Sequence, residues 1–347
     1  MTNRTLIVLA GAFVVLSVLA LVGQRNQTTT SAVTNVFFTG LLAELDRVEL
    51  IELTKSGDEI FATLELGTEG WSVAERGDYP ADTQKINHML LSLAEADILE
   101  QKTANPEWHD RLGVEPIERD NAGGIGIRLV GTDIPVNIIV GDSAGDGQIY
   151  ARKADQAQSY LINRDPQVGR STADWLDTEM LTIPENRIKQ VKLQHPDGEI
   201  LTIFKDEPGQ SNFTISNIPE NRELQYESVA NTIGSTLSNL SLQDVELRIN
   251  AEVASTLTEF RTFDGLILVV ESTRQGDEDW ITFNINYDSS NNPEIDDIVI
   301  ENNPTVETEA LELAQKLSRW RYRIPTYQFD QLTRRMNDLL RPLPDTP

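Results

Sequence analysis

The chain has no cysteine. Disulfides, thiolate metal sites, cysteine nucleophiles and the lipid-modified cysteine of a lipoprotein are therefore excluded. Basic residues are scarce as well: 29 Lys and Arg stand against 55 Asp and Glu, giving a formal charge of −26 over 347 residues. Such a surface is a poor partner for nucleic acid, whose binding is driven by cations displacing counterions. It is equally poor for direct docking on anionic lipid. Imidazole is limited to His88, His109 and His195, too far apart to suggest the converging ligands of a zinc site, and each is expected to be a single solvated side chain. Neither a Walker P-loop nor a Gly-x-Ser-x-Gly elbow is present, so nucleotide hydrolysis through a P-loop and an elbow-borne serine nucleophile are excluded. No cofactor, no metal site and no catalytic residue is expected.

What the chain does have is an N-terminal apolar run. Leu6–Gly23 reads LIVLAGAFVVLSVLALVG, 18 residues without a charge. As a helix it would rise roughly 27 Å, at about 1.5 Å per residue, against a bilayer core of about 30 Å. The run is longer than a signal-peptide core and no Ala-x-Ala follows it, so a retained anchor is expected over residues 1–25. Arg4 and the α-amine precede it, which favours a cytoplasmic N-terminus with the bulk of the chain outside. Residues 26–40 begin in Thr, Ser and Asn with no apolar period and are expected to be a juxtamembrane linker.

Beyond the linker the pattern shortens to alternating runs. Val48–Leu53, Ile60–Leu66 and Gly70–Val73 read as strands. Asp82 is placed to cap a helix whose apolar stripe is Ile86, Met89, Leu90 and Leu93. Asn105-Pro106 opens a second, short helix that Gly113 stops. Strands follow at Ile125–Val130, Val136–Val140, Gln148–Arg152 and Ser159–Ile162. Asp142–Gly147 has the look of a calcium loop, but Ala144 and Lys153 stand where ligands are needed, and a hairpin turn is expected. Gly123-Gly124-Ile125-Gly126 precedes a strand and not a helix, so it is read as a loop.

The order then repeats at an offset of 140 residues: RIKQVKL at 187–193 matches RVELIEL at 47–53, and Glu199–Phe204 matches Glu59–Leu64. A helix with Val229, Ile233, Leu237 and Leu240 on one face follows, then strands at Leu266–Val270 and Trp280–Ile285. A helix over about Pro304–Ser318, with Asn303 as cap, and another bearing Phe329, Leu332, Met336 and Leu339 complete the second unit. The expected fold class is α+β: an N-terminal transmembrane helix followed by two repeated units of antiparallel sheet with covering helices, at 41–177 and 178–347.

Two features invite a functional reading. Acidic clusters at Asp277–Asp279 and at Glu294, Asp296 and Asp297 sit among Gly, Asn and Ser and are expected to be solvated loops. Residues 316–341 hold seven basic and two acidic residues inside an acidic chain. In a strand, Arg319, Arg321 and Arg323 would share one face, with Trp320, Tyr322 and Ile324 on the other. That face either meets the chain's own acids or forms a partner-docking strip; Arg319, Trp320, Arg321, Tyr322 and Arg323 are the candidate site residues.

Several short motifs occur in a telling order: Gly70-Trp71-Ser72-Val73, Pro80-Ala81-Asp82, Thr103-Ala104-Asn105-Pro106, Arg111-Leu112-Gly113-Val114, Ile149-Tyr150-Ala151-Arg152, Tyr160-Leu161-Ile162, Trp175-Leu176-Asp177 and Trp320–Pro325. Together, over roughly residues 40–341, they resemble the bacterial "domain of unknown function 4340" family. The resemblance implies an envelope protein associated with ABC-type transport and gliding-motility auxiliary components, and it supplies no catalytic residue. The expected function is a single-pass accessory or scaffold protein of the bacterial inner membrane with its bulk in the periplasm. It would bind an ABC-type permease or auxiliary subunit, and neither nucleic acid nor nucleotide. The alternatives are an envelope glycan- or peptide-binding module and, last, a carboxylate-dependent hydrolase.

Overall fold

The computed structural model describes residues 35–249, 253–288 and 305–343. The run Leu6–Gly23 lies outside the described residues, as does the acidic cluster Glu294–Asp297. Among the described residues no helix is long and apolar enough to cross a membrane. The fold is mixed α and β, built mostly on antiparallel sheets.

In chain order, the first strands are β1 (Leu50–Lys55), β2 (Glu59–Gly67), β3 (Gly70–Val73) and β4 (Tyr79–Pro80), followed by helix α1 (Thr83–Ala94). Then come β5 (Ile98–Gln101), a 3₁₀ helix at Pro106–Leu112, β6 (Ile125–Val130), β7 (Val136–Gly145), β8 (Gln148–Lys153) and β9 (Ser159–Ile162). After β10 (Glu179–Leu181) the pattern resumes with β11 (Ile188–Gln194), β12 (Ile200–Phe204), β13 (Thr214–Ile215) and β14 (Arg222–Leu224). Helix α2 (Asn231–Gly234), β15 (Leu240–Ser241), β16 (Asp244–Leu247), β17 (Thr256–Thr262), β18 (Leu266–Gln275) and β19 (Glu278–Tyr287) follow. The remaining elements are α3 (Val306–Leu317), β20 (Trp320–Arg323), α4 (Thr326–Leu332) and β21 (Leu340–Pro342).

Packing divides the described residues into two compact units, one within residues 35–48, 55–58 and 88–168, the other within 49–54, 59–87 and the described part of 169–343. In the first, the strands lie in the order β6-β7-β8-β9-β5. Alternation gives the sheet a buried face: Ile125, Ile127 and Leu129 on β6 and Val136, Ile138 and Val140 on β7 are buried. Residues 36–38, expected to belong to the linker, are part of this unit: Val36 bridges Asp97, and the buried rings of Phe37 and Phe38 meet edge to face at 4.9 Å. The turn between β7 and β8 has positive φ at Asp146 and Gly147, the conformation that a two-residue hairpin requires, so the Asp/Gly run is a turn as expected.

In the second unit β4-β3-β2-β1 form one set, and β13-β12-β11-β17-β18-β19-β20-β16 form an eight-stranded sheet. Its core holds Val191, Leu193, Leu201, Ile203, Phe260, Leu268, Val270, Ile281 and Phe283. The chain traces one strand order twice. β3-β2-β1 and β6-β7-β8-β9-β5 correspond, strand for strand, to β13-β12-β11 and β17-β18-β19-β20-β16. One ion pair recurs with it. Arg47, before β1, reaches Asp133 in the β6–β7 turn at 2.6 Å, and Arg187, before β11, reaches Asp264 in the β17–β18 turn at 2.8 Å.

Helix boundaries show where local pattern gave way to packing. Asp82 caps α1 as expected, its Oδ1 accepting from Gln84 and Lys85 N–H at 3.0 Å, and Ile86, Met89, Leu90 and Leu93 are buried. The helix expected around Val229–Leu240 is only α2, then a 3₁₀ turn at Thr236–Ser238, with Leu240 in a strand. Its Ser, Thr and Asn residues favour local bonds over helix: Thr236 Oγ1 donates back to the carbonyls of Thr232 or Ile233 at 3.0 and 2.9 Å. The last expected helix stops at Leu332, and Met336 and Leu339 fall in and after a separate 3₁₀ turn. Helix α3 is capped by Thr305, whose side chain accepts from Thr308 N–H; Asn303, the expected cap, lies outside the described residues.

Candidate functional site

An open groove in the first unit is built on the 3₁₀ helix Pro106–Leu112. Asn105 Oδ1 accepts from Glu107 N–H at 3.2 Å, Pro106 fixes the first turn, and Gly113 ends it with φ 64°. The helix is too short to bury more than one side of itself. It turns His109 inward, at 2% exposure, and leaves Trp108 45% exposed with Arg111 beside it. At i,i+3 spacing the guanidinium of Arg111 lies 3.9 Å from the centroid of the Trp108 ring. Across from this shelf run Glu100, Gln101, Lys102 and Thr103, and the space between has a volume of about 430 Å³.

The walls are held in place from behind. Ser159 Oγ donates to the Thr103 carbonyl at 2.8 Å and accepts from Thr103 N–H at 3.1 Å. Lys102 Nζ reaches Glu100 at 2.6 Å, so these two charges are matched. His109 Nε2 lies 2.9 Å from the carbonyl of Ala157, to which it donates. Burial, with a smaller contribution from the Arg152 charge, lowers its pKa from 6.5. Arg152 is 4% exposed and has no carboxylate; it donates instead to the carbonyls of Val114, Lys153, Ala154 and Gln156. Arg111, by contrast, has neither a carboxylate nor a hydrogen bond among the described residues. An aromatic shelf, exposed amides and a cation with no carboxylate partner among the described residues thus lie side by side.

The profile of the family described as "Domain of unknown function (DUF4340)" matches residues 71–259, more than half of the chain. The chain belongs to the DUF4340 family. No curated protein and no solved structure matches it. The matched span of DUF4340 includes the whole shelf from Glu100 to Leu112 and ends before β20.

The residues singled out from the DUF4340 sequence lie elsewhere, in the second unit. Arg321 and Arg323 do share a face of β20, with Trp320, Tyr322 and Ile324 buried opposite. Their charges are engaged within the chain: Arg321 pairs with Glu246 and donates to Gln275 Oε1 at 3.0 Å, and Arg323 meets Glu278 at 2.8 Å. Arg319 is exposed, its guanidinium 5.2 Å from the Trp320 ring. Tyr322 and Trp320 pack against Tyr79, and burial raises the pKa of both Tyr79 and Tyr322.

Two expectations about polar residues are corrected. His88 is exposed, but His109 and His195 are buried; His195 Nε2 lies 3.2 Å from the Arg334 carbonyl, and its Nδ1 lies 3.3 Å from Thr256 Oγ1. Asp279 is not in a solvated loop but 3% exposed on β19, where it accepts from Arg274 at 2.6 Å. Among the described residues no three His, Asp or Glu are grouped to hold a metal ion. The shelf itself was missed because sequence reading placed the short helix without asking which side chains it could bury. A tryptophan and an arginine three apart on a two-turn helix was the available signal.

Proposed function

We propose that this DUF4340 protein is a single-pass, extracytoplasmic accessory protein of an ABC-type envelope transport complex, anchored in the bacterial inner membrane and acting by binding. The observation that carries the binding mode is the Trp108–Arg111 shelf, with an unmatched guanidinium facing an open groove. The location rests on an 18-residue uncharged run, Leu6–Gly23, within a chain whose net charge is −26. An anchor confines the binding surface to the membrane plane and raises its effective concentration near other membrane components. The repeated strand order and the repeated Arg–Asp pair support a duplicated sheet-and-helix unit, with α3 added in the second copy.

Crosslinking in native membranes followed by affinity capture tests this reading. An ABC-type permease or auxiliary subunit is the expected product; recovery of abundant envelope proteins alone removes its support. A second reading, an envelope glycan- or peptide-binding module, is favoured by the same exposed tryptophan in a groove.

A further inference from the structure

The two copies of the strand order differ at one ladder, and both versions of it lie in the second unit. In the first copy the ladder is closed. β3 pairs with β4 through Ser72–Pro80 and Val73–Tyr79. β4 in turn meets residues 175–177, with Asp177 N–H donating to the Pro80 carbonyl at 2.9 Å. In the second copy β13 stands for β3, β14 for β4 and β21 for 175–177. β14 still pairs with β21, but the two form a separate sheet, and β13 is the end strand of the eight-stranded one. Between β13 and β14 is a groove of about 470 Å³, with Phe213, Ile215, Ile218, Leu224 and Glu227 in its walls. Both walls and the turn that joins them belong to one continuous described run.

Register fixes where the backbone of each wall points. Ser216 N–H donates to the Thr202 carbonyl at 2.9 Å, so Thr214 and Ser216 bond towards β12 and the Ile215 N–H and C=O turn away from it. Gln225 N–H donates to the Leu339 carbonyl and Leu343 N–H to that of Asn221, so the Leu224 N–H and C=O turn away from β21. Among the described residues Ile215 and Leu224 do not pair, as their counterparts Val73 and Tyr79 do. One wall is held ready: Asn231 Oδ1 accepts from Phe213 N–H at 3.0 Å, and its Nδ2 donates to the Ser211 carbonyl at 3.1 Å. The groove is also acidic. Glu227 is exposed, with no cation on it among the described residues, and Lys205, 4.3 Å from the Phe213 ring, is matched by Glu185 at 2.9 Å.

We infer that the groove between β13 and β14 takes an extended segment of a partner protein that carries a lysine or arginine beside an apolar residue. The segment bonds through its main chain to Ile215 and Leu224, sets its apolar side chain against Ile218 and Leu224, and places its cation on Glu227. A peptide fits better than a glycan. Phe213 is 2% exposed and offers no ring face for a sugar to stack on, whereas backbone donors and acceptors along a strand complement another main chain. This surface goes beyond the binding reading above and stands on different residues.

The test uses the purified full-length chain at about 0.15 M salt, which screens long-range attraction to its negative charge. Three probes are needed: a fluorescein-labelled heptapeptide of alternating valine and lysine, the same peptide N-methylated throughout, and maltoheptaose. Fluorescence anisotropy should show the N-methylated peptide binding about tenfold more weakly, the worth of one or two main-chain hydrogen bonds. Glu227→Gln should weaken binding of the unmodified peptide about threefold, with thermal melting unchanged. Hydrogen exchange should slow at Ile215 and Leu224 when the unmodified peptide is added. Equal binding of the two peptides would reduce the effect to charge attraction and overturn the inference. So would an unchanged affinity in Glu227→Gln, unslowed exchange, amides at Ile215 and Leu224 already protected in the free chain, or displacement of the peptide by maltoheptaose. Membrane crosslinking, which tests the transport-complex reading, fails or succeeds independently of these measurements.

Discussion

At the scale of single residues, burial decides what a polar group does. Arg152 shows it most clearly: buried and, among the described residues, without a carboxylate in hydrogen-bond contact, it serves as a bundle of donors for four carbonyls. Arg152→Met keeps much of the apolar volume but removes those donors, and should destabilise the chain by about 2–3 kcal/mol, the cost of leaving buried acceptors unmet. Urea unfolding at neutral pH measures it. His109 gives a pH dependence with a defined sign. Its folded pKa is lowered below 6.5, so the unfolded chain takes up the proton first. Stability is therefore full above about pH 6.5 and declines as pH falls from there through the folded value. Thermal melts between pH 7.5 and pH 5 should show that decline, and His109→Gln should flatten it. None of this was legible beforehand: an isolated His or Arg carries no sequence mark of the carbonyls that will surround it.

At the scale of elements, the sequence was most informative where a local signal and packing agree. Asp82, Asn105-Pro106 and Gly113 each placed a helix end correctly, because caps act through bonds to neighbours two or three residues away. The failed helices are those whose apolar spacing looked right but whose composition did not favour helix. Gly234 marks the difference. A Cβ there would come within 2.1 Å of the ring of Phe213, which is 2% exposed. Helix propensity alone would make Gly234→Ala stabilising by about 1 kcal/mol. The clash should reverse the sign, giving a loss of about 1–3 kcal/mol. Chemical denaturation reads the sign directly, and a second substitution, Phe213→Leu, should recover much of the loss.

At the scale of the whole molecule, chain order and compact units diverge. Residues 59–87 belong to the first copy of the repeated pattern, yet they pack in the unit that contains 169–347. Tyr79 meets Trp320 at 5.1 Å and Tyr322 at 6.1 Å, and Arg76 pairs with Asp244 at 2.7 Å with both side chains largely covered. Strand β20 lies between β19 and β16, so the C-terminal segment is internal to its sheet. Deleting 319–347 should strip β16 of its neighbour, expose Tyr79 and Phe283, and lower the unfolding midpoint with loss of cooperativity. A truncated ectodomain that melts like the intact one would contradict this. The basic strip at 319–323 belongs to the same scale: it looked like a docking surface until the fold brought Glu246 and Glu278, far away in sequence, onto two of its three arginines.

Sequence by itself determined the alternation that makes strands, the caps and turns that end helices, the offset at which the pattern repeats, and the net charge. These are properties of composition and of neighbours within a few residues. Tertiary structure alone decided which charges cancel, which histidines leave water and which helices are cut short. Those outcomes depend on groups brought together from distant parts of the chain. Arg321 and Arg111 make the contrast plain: both are arginines beside an aromatic ring, and only the fold supplies a carboxylate to one and leaves the other facing a groove.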